Sequence, residues 1–290
     1  MKAVEIIYRY EADAAYARSR PQDADAARRR LDDGNRAFAA LLDDRGAASG
    51  TARHVIHVDQ RDLGLFGAGQ GVPEQRPYAA ILGCSDARVP IELVFGEGPN
   101  DLFVVRVAGN VLGGDVLGSL RYAVEHLGRG LKLGVVLGHS GCGAVSAAVD
   151  VFLNPADYLP LASKHALRSL LDRLLAVVQA SANRMATALG PEVTRLPGYR
   201  QALIEASVVA NAALAAHTLQ QEIGSSEPRG LRAVYGVYVI ASREIWAPRC
   251  NSRAHAGLAD PPRDLKEFVE FGDAVMRSDR IAALLEKASD

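Results

Sequence analysis

Three short, continuously apolar runs constrain this chain more than any other feature. They are Tyr78–Gly83, bounded by Pro77 and Gly83, then Leu102–Ala108 and Leu131–Gly138. Short runs without polar alternation suit strands buried on both faces of a parallel sheet, with helices packed above and below. Between the second and third runs, Leu117, Leu120, Val124 and Leu127 recur at helical spacing over Val116–Leu127, and Gly128 ends the pattern. Strand, helix and strand in this order predict a right-handed parallel crossover.

The flanks read mostly as helix. Asp23–Leu42 carries Ala27, Leu31, Phe38, Leu41 and Leu42 at roughly helical spacing, and Gly46–Thr51 breaks it. Val4–Tyr10 reads as a short strand, and 52–76, with Gly64, Gly67, Gly69, Gly71 and Pro73, as a loop-rich approach. Helices are expected over Ala144–Leu153, Ala162–Leu189 and Gln201–Ile223, the last two separated by Pro191–Tyr199. Leu231–Ala241 is the final strand candidate, and a helix is expected around Leu265–Leu285. There is no internal repeat. The reading is one α/β domain over 1–290: an N-terminal arm and approach loop (1–76), a catalytic core (77–241) and a C-terminal extension (242–290). Helical extensions flank the core at both ends.

Composition excludes some functions. The net charge is −1 and aromatics are 6%, so neither a basic footprint nor a stacking platform for nucleic acid is present. No stretch approaches the ~20 apolar residues of a membrane span, and the N-terminal apolar stretch is too short and charged for a signal core. The expectation is a cytoplasmic protein without membrane or nucleic-acid partners. Three cysteines, Cys84, Cys142 and Cys250, imply no disulfide framework; a metal site or free thiols fits a reducing compartment better.

Two segments carry the chemistry. Cys84 follows the first apolar run, and His139-Ser140-Gly141-Cys142 follows the third. If those runs are neighbouring parallel strands, two thiols and one imidazole converge at the carboxyl edge of the sheet, where such folds place their sites. These are donors that zinc prefers, and three protein donors leave its fourth position open for catalysis. Two thiolates make the ion a weaker Lewis acid than neutral donors would. Asp86 and Arg88 lie just past Cys84. Arg88 can fork onto Asp86 and keep it ionised, leaving Asp86 to accept a hydrogen bond from water on the metal. Alternatively, Asp86 takes the fourth position and closes the site. Cys250 is read as a free thiol, His126 as a helix C-terminal dipole partner, and His54 and His57 as exposed or capping residues, with proton shuttling the alternative.

The segments Gly83–Pro90, Asp101–Asn110, Gly118–Val124 and Val136–Ala144 closely resemble the β-class carbonic anhydrases, with weaker likeness at Leu31–Phe38 and Val234–Tyr238. The resemblance implies a parallel sheet with an antiparallel fifth strand. It also implies an N-terminal arm wrapped around a partner, and a homodimer or larger homo-oligomer with its site at the dimer interface. Carried over residue by residue, Cys84, His139 and Cys142 are the Zn2+ ligands, and Asp86 and Arg88 the catalytic dyad. Gly141 places a backbone group near the substrate. Gln75, Phe103 and Tyr122 are similar to substrate-contacting residues of the plant-type subclass. The implied activity is reversible hydration of CO2 to bicarbonate by zinc hydroxide. Alternatives are hydrolysis of carbon disulfide or carbonyl sulfide on the same site, and a closed zinc protein of structural or regulatory role. The pattern departs at Ala87, where the family often has Ser, and at Val107, where it often has Asn. Ile81 stands where a bacterial allosteric subclass has Trp, which weighs against a bicarbonate-locked state. Segments 45–75, 151–200 and 242–290 are longer than usual for the family.

Overall fold

The three apolar runs form adjacent strands of a five-stranded sheet, but the run from Leu102 is its half-buried edge strand rather than one buried on both faces as expected, because it has a neighbour on one side only. In the computed structural model, which describes residues 3–11, 19–41, 51–59, 62, 71–127, 130–162, 164–224, 231–248 and 257–286, the elements in chain order are β1 (Ala3–Glu11), α1 (Ala24–Ala40), β2 (Thr51–Asp59), β3 (Ala79–Gly83), α2 (Ile91–Phe95), β4 (Leu102–Arg106), α3 (Gly114–Leu127), β5 (Leu133–His139), α4 (Gly143–Leu153), α5 (Leu159–Ala162), α6 (His165–Leu189), α7 (Tyr199–Ile223), β6 (Arg232–Val239), β7 (Glu244–Trp246), α8 (Leu265–Met276) and α9 (Asp279–Leu285). The strand order is β4-β3-β5-β6-β7. All neighbours are parallel except β7, which runs antiparallel to β6 at the edge. Gly128, Cys250, His255 and the stretches 42–50 and 63–70 lie outside the described residues.

Side-chain alternation divides the core between the two faces of the sheet. Ala79 and Ile81 of β3 share one face with Leu133, Val135 and Leu137 of β5, against Ala27 and Leu31 of α1 and Val94 and Phe95 of α2. Ala80 and Leu82 share the other face with Val136, against α4, α6 and α7. Every residue of β3 and β5 is buried, as continuously apolar strands require. Helix α7 is long and apolar enough, by length and composition, to cross a membrane, so the expectation that no stretch comes near a span was too strong. Its apolar window is 78% buried inside the protein, which is how a core helix meets the same test.

Helix α1 is anchored by specific contacts. Asp23 caps it, accepting from the Ala26 amide at 2.7 Å. Arg30 bonds the fully buried Glu97 and lies over the Tyr78 ring, 4.6 Å from its centroid. Buried Asn35 stitches three elements together: it donates to the carbonyls of Val94 (3.2 Å) and Arg243 (2.9 Å) and accepts from the Ile245 amide (2.8 Å).

Several expectations need correction. Residues 51–59 are a strand, not loop: β2 pairs in parallel with β1 as a separate two-stranded sheet. The glycines that suggest loop begin only after this strand, and its own Val55, Ile56 and Val58 are β-branched residues that a strand favours. Leu231–Ala241 is not the final strand, since β7 follows it. The expected helix from Ala162 to Leu189 is α5 and α6, and the expected helix over Leu265–Leu285 is α8 and α9, the latter newly capped by Ser278.

Gly34 permits α1 to approach α2, because a Cβ there would run into the Phe95 carbonyl oxygen. Gly34→Ala should lower stability by about 1–3 kcal/mol through overpacking. Urea unfolding measures this, and an unchanged midpoint would count against so close a helix contact.

Candidate metal centre

The parallel pairing of β3 and β5 builds the site. Gly83 pairs with Leu137, so Cys84 leaves β3 beside His139, the last residue of β5. Cys142 then occupies the N-cap position of α4. A two-residue turn, Ser140–Gly141, separates these two donors, and Gly141 adopts φ +63°, the left-handed region that favours glycine. Cys84, His139 and Cys142 are all buried, and their donor atoms lie within 4.8 Å of one another. The two Sγ atoms are 4.0 Å apart.

The histidine is set for a cation. Its Nδ1 lies 3.0 Å from the Ser140 carbonyl oxygen, which can only accept. Nδ1 therefore carries the proton, and Nε2 presents a lone pair. Nε2 is buried without a hydrogen-bond partner. A buried polar atom left unsatisfied is costly, and a metal ion facing the two sulfurs removes that cost. The residues present thus fit a metal.

Charge in the site is polarised. The Cys84 thiol is drawn down to about 4, first by its hydrogen bond with Cys142, helped by His139 and the amides of Asp86 and Gly109. The Cys142 thiol is pushed up by that same bond and by burial. Two neighbouring sulfurs cannot both ionise without a cation between them; a bound metal would deprotonate both. Arg88 holds the Asp86 carboxyl far below the usual carboxylate range.

The surrounding shell is well defined. Asp86 Oδ1 accepts from Arg88 Nε at 3.0 Å and from the Arg88 amide at 2.9 Å, while Oδ2 accepts from Arg88 Nη2 at 2.7 Å. Asp86 Oδ2 is 3.7 Å from His139 Nε2. Arg106 donates to the carbonyls of Cys84 (2.9 Å) and Asp86 (2.6 Å), fixing the segment that bears both. The Gly109 amide donates to Cys84 Sγ at 3.3 Å, and buried Asn211 donates to the Gly109 carbonyl at 2.8 Å. A model of the family described as "Carbonic anhydrase" matches residues 79–239, more than half of the chain and all of this site.

The chain belongs to the carbonic anhydrase family. Its motifs are those of the β class. A carbonic anhydrase 2 from Mycobacterium tuberculosis is 53% identical over 75 residues, covering 26% of this chain and 35% of that protein. A carbonic anhydrase from Mycolicibacterium smegmatis is 43% identical over 114 residues, covering 39% of this chain and 52% of that protein. The chain thus spans 35% and 52% of the lengths of these curated relatives. A solved β-carbonic anhydrase from Aspergillus fumigatus aligns with TM-score 0.45 and 21% identity over 71% of this chain and 85% of that one.

Of the remaining candidate residues of this carbonic anhydrase family member, Gln75, Phe103 and Tyr122 lie outside the donor group, whereas Gly141 lies in the turn between two of the donors. Gln75 is exposed ahead of β3. Phe103, on β4, packs against the core cluster that contains Cys84 and Cys142. Tyr122, on α3, is half exposed and stacks on His126 with centroids 4.5 Å apart. The Gly141 amide is already engaged, donating to Glu205 Oε1 at 2.7 Å. His126 does sit in the last turn of its helix, as expected. His54 and His57 lie on β2, an odd number of residues apart, so they face opposite sides of the strand and form no joint relay. Sequence reasoning missed Glu205, Asn211 and Arg280. The available signal was a single acid, Glu205, and a single amide, Asn211, within the apolar stretch Ala202–Ala216.

Removing a donor should remove the metal. The wild-type chain is expected to bind one thiophilic divalent ion, and Cys84→Ala or His139→Ala to lose it in equilibrium dialysis while remaining folded by circular dichroism. Retention at wild-type affinity would place the ion elsewhere.

Proposed function

We propose that this chain is a zinc-dependent carbonic anhydrase that interconverts CO2 and bicarbonate. The observation that carries the reading is the orphaned, buried Nε2 of His139 beside two cysteine sulfurs. Two sulfurs and one imidazole nitrogen form a set that suits zinc and leaves a position for chemistry. Zinc held there supplies a Lewis acid that makes water nucleophilic near neutral pH.

The chain's own residues would orient the reaction. Asp86 stays ionised at working pH because Arg88 grips both of its oxygens. An ionised carboxylate beside His139 Nε2 is an acceptor that can orient the attacking water's proton. The same grip favours an open site over a closed one. For Asp86 to become a fourth ligand, it would have to turn away from Arg88 and lose those charge-assisted bonds.

The family resemblance favours a site at an interface in a homodimer or larger assembly. In such an assembly, the exposed Gln75 and half-exposed Tyr122 are available to line a site together with Phe103. Gln75 would then donate to an oxygen of CO2 or bicarbonate. The expected location is the cytoplasm.

Stopped-flow CO2 hydration, with zinc quantified on the same sample, tests the proposal. Asp86→Asn should keep zinc and lose activity on the order of 10²-fold. An unaffected rate would remove Asp86 from the mechanism. Background CO2 hydration with rapid release of hydrogen sulfide from carbonyl sulfide or carbon disulfide would replace the substrate. Full zinc with no rate on any of the three would favour the closed, non-catalytic reading.

A further inference from the structure

The turn between His139 and Cys142 is held from two sides. On one side β6 fixes it: the Ser140 amide donates to the Tyr238 carbonyl at 3.0 Å, and Ser140 Oγ accepts from the Ile240 amide at 3.0 Å. On the other side is α7. Gly138 lacks a side chain where a Cβ would lie 3.2 Å from Val208 and 3.5 Å from Ala212, so α7 packs closely against the end of β5. Glu205 lies three residues before Val208 and seven before Ala212, hence on the same helix face. That face aims a carboxylate, only 3% exposed, at the turn.

Both Glu205 oxygens are used. Oε1 accepts the Gly141 amide at 2.7 Å, and Oε2 accepts Arg280 Nη2 at 2.6 Å. Arg280 comes from α9, in the C-terminal extension, and its guanidinium carbon lies 5.9 Å from the Trp246 ring centroid. Across the turn, the Gly141 carbonyl accepts from Arg88 Nη2 at 3.3 Å, and that same nitrogen holds Asp86 Oδ2 at 2.7 Å. An unbroken chain of polar contacts therefore runs from Arg280 through Glu205, Gly141 and Arg88 to Asp86.

We infer that Glu205 and Arg280 are a positioning pair, through which the C-terminal helices set the Ser140–Gly141 turn and, through it, the orientation of the Asp86–Arg88 dyad. The inference deepens the proposed function and rests on it for its kinetic part. A buried carboxylate needs both a countercharge and donors. Arg280 supplies the charge, which leaves Glu205 free to direct its other oxygen to a backbone amide rather than to a second side chain. The extension thus belongs to the working site, although it lies far from it in sequence.

The test uses full-length, zinc-loaded protein with metal content measured for each variant. Its readouts are CO2 hydration kinetics and the ¹H–¹⁵N resonance of the Gly141 amide. Arg280→Met removes the charge at a partly exposed position. Glu205→Gln offers either its oxygen or its amide group to Gly141, so it cannot serve both partners. Both variants should keep zinc, lower kcat about tenfold with little change in KM, and move the Gly141 amide proton upfield as its charge-assisted bond weakens. Arg280→Lys should recover most of both effects, which a merely structural ion pair would not require.

A Gly141 resonance that stays in place in Glu205→Gln overturns the inference. So does a wild-type kcat in variants whose resonance has moved, or Arg280→Lys behaving like Arg280→Met. Should Arg280→Met fail to fold, Glu205→Gln and Arg280→Lys decide the matter by the same readouts. A wild-type protein that hydrates no CO2, with a Gly141 amide that still answers to Arg280, would sink the proposed function and leave the positioning link standing.

Discussion

The parallel pairing of β3 with β5 is the constraint on which everything else depends. It brings two strand ends together and so places Cys84 beside His139. A shift of register by one residue would carry every side chain of a strand to the opposite face of the sheet and against the wrong helices, so the different packing on the two faces fixes the register. The metal donors thereby inherit their placement from the hydrophobic core. Fully burying each large aliphatic side chain of these strands is worth about 1.5–3 kcal/mol. That is ample to hold two sulfurs and an imidazole together, even though the sulfurs repel once ionised.

Around this centre the protein uses backbone groups as much as side chains. Arg106 clamps two carbonyls, Gly109 offers its amide to a sulfur, and Asn211 holds Gly109 in turn. Each contact orients Cys84 or the segment that carries Asp86 and Arg88. The chemistry proposed here therefore depends on Asp86 remaining with Arg88, and the surroundings of both residues are built to keep it there.

The sequence made the centre of the fold legible because its signals are local. Continuous apolar runs identify buried strands, and cysteine and histidine at strand ends identify donors. The order of strands came only in part: the donors converge only if β3 and β5 are neighbours, a condition the sequence left open and the pairing meets, whereas the three-residue β7 is too short to register as a pattern and came from family resemblance alone. Strand β2 was obscured by the glycines that follow it. Glu205 and Arg280 were not legible, since their meaning depends on α9 meeting α7 and α7 meeting the Gly141 turn, 64 residues away from Glu205 in sequence. An acid inside the apolar stretch Ala202–Ala216 hinted at a buried role but could not name its partner. Gln75 and Tyr122 sit where one protomer alone gives them no part in the donor group.

X-ray absorption at the zinc edge, on wild-type protein and on Asp86→Asn, reads the donor set of the metal itself. Two sulfur neighbours at about 2.3 Å, one imidazole nitrogen at about 2.0 Å and one further light atom are expected, with the same shell in both proteins. A shell of different sulfur count, or one that changes when Asp86 loses its charge, would contradict an open centre built from Cys84, His139 and Cys142.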